Sequence, residues 1–376
     1  MSGSGGAGAS REQILGALAH VQDPELRRPI TDLGMVEDVA LADGRLTVRV
    51  LLTIAGCPLR STIESDVTAA VAGLPGVDAV DVVTGVMSPD QRQRLKDDLR
   101  AGGRANPFDA ASLTRVYAVA SGKGGVGKSS VTVNLAAALA ADGLRVGVID
   151  ADVHGFSVPS LMGIDRAPTR VDEMILPPVA HETKVISIGM FVEGNQAVAW
   201  RGPMLHRALE QFLTDVYFGD LDVLLLDLPP GTGDMAISVA QLLPTAQLLL
   251  VTTPQSAAAD VAERAGMLAS QTGQTVAGVI ENMGPMTLPD GTVLDLFGSG
   301  GGQTLAERLG VTLGTEVPLL GSVPLDGGLR RAGDAGTPVV LADPGSPAAV
   351  VLRRIADDLR GRGRHLPGRP LPLSVR

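Results

Sequence analysis

Residues 121–130 read Ser-Gly-Lys-Gly-Gly-Val-Gly-Lys-Ser-Ser, between the apolar run Val116–Ala120 and the helical pattern Val131–Ala141. A G-x-x-x-x-G-K-[ST] signature between a strand and a helix commits this stretch to cradling phosphates. Its glycines let the backbone turn successive N–H groups inward as an anion nest. The helix start adds partial positive charge. The expected nucleotide contacts are therefore Gly122, Lys123, Gly124, Gly125, Val126, Gly127, Lys128, Ser129 and Ser130. Lys128 is placed to reach the β- and γ-phosphates, and the Ser129 hydroxyl to ligate Mg²⁺. ATP and Mg²⁺ are the cofactors this chemistry calls for.

Such a loop sits at the carboxyl end of a parallel strand, and the surrounding chain agrees. From Arg115 onward, apolar runs alternate with helical patterns. The runs are Val116–Ala120, Arg145–Ile149, Val185–Ile188, Asp222–Leu226, Gln247–Val251, Val276–Ile280 and Leu319–Val323. Several lack polar alternation, as strands covered on both faces do. The expected fold class is α/β: a doubly wound, mostly parallel sheet over residues 114–360, preceded by a small α+β domain over 10–88. In that first domain Gly34–Ala40 and Arg45–Ile54 read as strands joined by an Asp43-Gly44 turn. Leu59–Ala72 reads as a helix and Gly76–Val83 as a third strand. Residues 89–113 read as a polar linker, helical over Gln91–Arg100, while 1–9 and 361–376 read as tails.

Composition narrows the function classes. The formal net charge of −10 argues against nucleic acid as a partner. No apolar stretch reaches the ~18 residues of a membrane helix, and the first residues lack a basic, apolar leader. With a single cysteine, neither an internal disulfide nor a multi-thiolate metal site can form within one chain. A cytoplasmic protein without a membrane partner is expected. The chain spends lysine at only four positions (Lys96, Lys123, Lys128 and Lys184), two of them in the phosphate loop.

Two runs place acids beside that loop. Arg145–Ile149 ends in Asp150-Ala151-Asp152, and the apolar Leu224–Leu226 delivers Asp227, followed by Leu228-Pro229-Pro230-Gly231-Thr232-Gly233-Asp234. Carboxylates at the ends of strands next to a phosphate site hold Mg²⁺ or orient water, which assigns Asp227 to the metal. Of Asp150 and Asp152, one can hold Mg²⁺ through water and the other orient or deprotonate the attacking water. Asp234 reads equally as a helix cap.

Lys123 makes the loop a KGGxGK[ST] motif, which resembles the deviant Walker A of the MinD/ParA/nitrogenase-iron-protein class. That resemblance implies a homodimer sandwiching two nucleotides, with Lys123 of one subunit reaching the γ-phosphate held by the other. It also implies that Asp152 stands where the class has its water-activating aspartate, which leaves Asp150 to the metal. Further segments extend the likeness: DADVHGFSVP (150–159), WRGPM (200–204), DLPPGTGD (227–234), TTPQSAAADVAER (252–264), GVIENM (278–283), LFGSGGG (296–302) and LGSVPLDGGLRRAGDAGTPVV (320–340). In this order they resemble the Mrp/ApbC family of iron–sulfur cluster carrier ATPases. The N-terminal Asp23-Pro24-Glu25-Leu26, Asp32-Leu33-Gly34 and Gly56-Cys57-Pro58 are similar to the SufT-like cluster-assembly domain often fused to them. The family likeness implies ATP hydrolysis coupled to carriage of an iron–sulfur cluster, such as [4Fe-4S], to apoprotein clients. It also makes Asn282 the amide that contacts adenine; the alternative is a turn residue satisfying backbone.

One departure stands out. Relatives usually carry C-x-x-C between the ENM and FGxGGG segments, but residues 284–295 here contain no cysteine. Cys57 is the remaining candidate thiolate. It precedes the Leu59–Ala72 helix, where a thiol pKa is lowered, and the competing reading is a small buried hydrophobe.

Overall fold

The computed structural model describes residues 8–99, 106–153, 155–191, 202–231, 233–255, 262–264, 266–267 and 270–363. His154, Trp200, Arg201, Thr232, most of both expected tails and residues 100–105 of the expected linker lie outside the described residues. The chain divides into two compact units, Met1–Ala105 with Thr169–Pro177, and Asn106–Pro168 with Pro178–Arg376.

In the first unit, Asp43 and Gly44 both take positive φ (49° and 75°), the conformation a tight two-residue hairpin requires. They join β1 (Val36–Ala42) and β2 (Arg45–Leu52) as an antiparallel pair. β3 (Ala79–Val86) runs parallel to β2, so the chain must cross over, and the helix Arg60–Val71 makes that crossing. The sheet order is β1-β2-β3. Leu46, Val48 and Val50 alternate inward from β2, and Ile63, Val67 and Val71 form the buried stripe of the helix. The N-terminal helix Arg11–Leu18 opens on a Ser10/Gln13 capping box and buries Ile14 and Leu18.

This unit also holds pieces outside the 10–88 boundary. The helix Pro89–Leu99 buries Leu95. A hairpin of β6 (Thr169–Val171) and β7 (Met174–Leu176), not anticipated from the sequence, belongs here as well. Its Thr169 hydroxyl donates to the buried Glu25 carboxylate at 2.8 Å, and Lys96 pairs with Asp172 at 2.8 Å. The other end of the expected linker, from Asn106, belongs to the second unit, where Phe108 is buried edge-on to Phe218.

The second unit is built on an eight-stranded sheet. Its strands are β4 (Arg115–Ser121), β5 (Val146–Asp150), β8 (Val179–Ala180), β9 (Thr183–Ser187), β10 (Val223–Asp227), β11 (Gln247–Thr252), β12 (Thr275–Gly284) and β15 (Leu319–Pro324). Their order is β15-β12-β11-β4-β10-β5-β9-β8, and every pair except β8–β9 is parallel. All seven apolar runs read from the sequence are strands of this sheet. Later strands lie on both sides of β4, so the winding reverses there, at the strand that carries the phosphate loop. The helix Lys128–Ala141 that follows the loop is buried nearly all round, because its Val, Leu and Ala residues face both the sheet and the C-terminal helix Pro347–Gly361. A loop fixed between a central strand and a buried helix has little freedom to move.

Candidate phosphate-binding site

The loop leaves β4 and enters its helix through Gly125 and Gly127, both at φ 79°. Gly127 is the helix N-cap, and a Cβ there would overlap the Asn282 side-chain nitrogen. Ser121, residues 124–130, Asp152, Gly155, Ser157 and Pro230 line an open cavity of about 350 Å³. Backbone amides, a lysine and hydroxyls converging on one concavity form an anion site.

Lys128 is almost fully buried. Its Nζ lies 2.7 Å from Asp227 Oδ2 and 3.7 Å from Asp152 Oδ2. Asp227 is completely buried at the end of β10 and accepts from Ser129 Oγ (2.5 Å) and Thr132 Oγ1 (2.8 Å). Register places Asp227 directly beside Asp150 on β5. Asp150 accepts from Ser187 Oγ at 3.0 Å and from the Asp152 and Val158 amides at 3.2 and 3.3 Å. Burial, reinforced by the neighbouring Asp227 charge, pushes its carboxyl up to about 7. The Asp152 carboxylate accepts from the Gly155 amide at 3.1 Å and faces the cavity.

The sequence-derived residues therefore divide. Lys128, Ser129, Asp150, Asp152 and Asp227 converge. Thr132 and Ser187, which sequence reading passed over, complete the hydrogen-bond set. Thr132 had a visible signal, since it stands one helical turn after Lys128 on the same face. Lys123 is half-buried, with its Nζ 2.8 Å from Gln255 Oε1. Asn282 donates from Nδ2 to the Val126 carbonyl at 2.9 Å, the backbone-satisfying alternative, and is not among the cavity-lining residues. Gly233 takes the helix-cap position and Asp234 is the first helical residue.

The oxygen donors suit a hard cation: a serine hydroxyl beside two strand-end carboxylates is the set Mg²⁺ accepts. Among the described residues no group of three or more His, Cys, Asp or Glu is arranged to hold a metal by itself. Residues 284–295 contain the short hairpin of β13 (Met286–Thr287) and β14 (Val293–Leu294), without thiols. Cys57 is half-buried in the turn before Arg60–Val71. No described helix is long and apolar enough to cross a membrane.

Comparisons with known proteins agree with this geometry. The family described as NUBPL iron-transfer P-loop NTPase, of ParA type, matches residues 112–360, and the iron–sulfur cluster assembly protein family matches residues 11–82. The chain is similar to the iron–sulfur cluster carrier protein of Mycobacterium tuberculosis, at 60% identity over 362 residues and 95% of each chain. A nucleotide-binding protein from Archaeoglobus fulgidus, solved in complex with ADP, matches at 36% identity and a TM-score of 0.51, covering 59% of this chain and 86% of that one. The cell-division ATPase MinD of Pyrococcus furiosus shares the fold at 22% identity and a TM-score of 0.50, covering 65% of this chain and 98% of its own. A positioning ATPase is not favoured, because the likeness spanning nearly the whole chain is to cluster carriers. Phosphate loop, acid pair and N-terminal domain together place the chain in the iron-transfer P-loop NTPase family that includes the iron–sulfur cluster carrier proteins.

Proposed function

We propose that the protein is an ATP-hydrolysing iron–sulfur cluster carrier that works as a homodimer in the cytoplasm and delivers clusters to apoprotein clients. One observation carries the reading: Lys128, Ser129 and Asp227 are locked together beside a phosphate-sized cavity in a chain built like cluster carriers along its length. The loop amides and Lys128 bind the β- and γ-phosphates. Ser129 and Asp227, with Asp150 behind them, would hold Mg²⁺, which when bound neutralises phosphate charge. Asp152 orients the attacking water and accepts its proton. Asn282 has a second amide hydrogen and Oδ1 to offer an adenine. ATP closes the dimer and hydrolysis opens it, changing access to the cargo.

In this reading Lys123 acts on the partner's nucleotide. Its Nζ is bonded to Gln255, while Lys128 is the lysine paired with Asp227, and this supports that role. Lys123→Ala should leave Mg-ATP affinity within about two-fold while slowing hydrolysis roughly 10³-fold, the scale of a trans-acting cation. Calorimetry and phosphate release measure the two separately, and equal losses in both would overturn the trans assignment.

Cargo binding rests on Cys57, the one thiolate each chain offers. Anaerobic reconstitution with iron and sulfide, followed by visible absorption and iron counting, should load wild type and fail for Cys57→Ser. Equal, negligible iron in both would remove the carrier role and leave the ATPase reading intact.

A further inference from the structure

β12 ends beside the phosphate loop with two consecutive buried side chains, Glu281 and Asn282. Neighbours on a strand point to opposite faces. Glu281 accepts from the Gly302 amide (2.7 Å) and the Ser322 hydroxyl (2.6 Å), on the side of the glycine-rich segment 296–302. Asn282 turns the other way and meets the Val126 carbonyl. The facing atom must be its nitrogen, because a carbonyl only accepts. Val126 is buried, so its carbonyl has little recourse to water, and losing its donor would leave a desolvated acceptor.

The Val126 carbonyl and the Gly127 N–H belong to one planar trans peptide, in which O and H point in opposite directions. Holding the oxygen from one side therefore aims the Gly127 N–H to the other. Gly127 also clears the space for this contact, since any Cβ there would overlap the Asn282 nitrogen. We propose that Asn282 is a positioning residue for the phosphate cradle: by fixing the Val126–Gly127 peptide plane it sets the affinity for phosphate chains whether or not a base is attached. This rests on the nucleotide-binding reading above.

The test is calorimetric binding of two probes, Mg-ADP and Mg-tripolyphosphate, to full-length wild type, Asn282→Ala, Asn282→Asp and Asn282→Gln. Asn282→Ala should weaken tripolyphosphate about ten-fold, the scale of one hydrogen bond to a buried acceptor, and ADP by at least as much. The isosteric Asp variant, which keeps the volume and loses the donor, should be at least as weak, and it replaces the Ala variant if that one does not fold. The Gln variant, which keeps the amide, should recover part of the tripolyphosphate affinity, a rescue that a purely volumetric role would not give. Loss of ADP affinity with unchanged tripolyphosphate affinity would make Asn282 a base contact only and overturn the proposal. Wild type binding neither probe would instead bring down the nucleotide reading beneath it.

Discussion

Lys128→Ala is expected to weaken Mg-ATP binding at least ~100-fold and to abolish turnover, measured by calorimetry and phosphate release. A charge-assisted hydrogen bond contributes about 1.5–3 kcal/mol, and each 1.4 kcal/mol is tenfold in affinity. The loss falls toward the upper end because the ammonium is buried, already oriented by Asp227, and needs little ordering when phosphate arrives. The change also removes the cation facing Asp227 and Asp152, with Asp150 alongside. Melting of the ligand-free variant should therefore drop as well. Wild-type turnover by a folded Lys128→Ala protein would refute the site.

Asp227→Ala should produce the largest loss of stability in the molecule's polar interior. It leaves the buried Lys128 ammonium with the longer contacts to Asp152 (3.7 Å) and Ser129 Oγ (3.5 Å), takes away the carboxylate that accepts from Ser129, and leaves Thr132 to the Lys128 carbonyl alone. Breaking a buried ion pair by deleting one partner costs about 3–5 kcal/mol, which for a domain of this size lowers the melting temperature on the order of 10 °C. Asp227→Asn retains the shape and part of the hydrogen bonding, so it should fall between. A melting temperature within about 2 °C of wild type for the Ala variant would mean that the pair is not held as described.

The phosphate loop was legible because its chemistry is local: ten consecutive residues carry the glycines, the lysine and the helix start. The seven strand runs were legible because burial on both faces forces continuous apolar sequence. The acid pair could be read as two strand ends, although only sheet order reveals that β10 inserts between β4 and β5 and sets Asp227 beside Asp150. Contacts across long stretches of sequence left no such trace. Asn282 on Val126 and Lys123 on Gln255 are tertiary events, and a resemblance pointed Asn282 toward adenine while its amide also had a loop carbonyl to satisfy. The hairpin Thr169–Leu176 escaped because strands of three residues carry too little period to read.

That hairpin changes what it means to call this protein a fusion. Backbone passes from one unit to the other not once but three times, between 99 and 106, at 168–169 and again at 177–178. A protease nick in the first passage leaves two fragments still threaded through the other two. A gene trimmed to the ATPase alone would bring along Val171, Met174 and Leu176, greasy residues stripped of the unit that buries them. Severing the chain at one point therefore leaves Thr169–Pro177 covalently attached to the ATPase part rather than to the unit it belongs to.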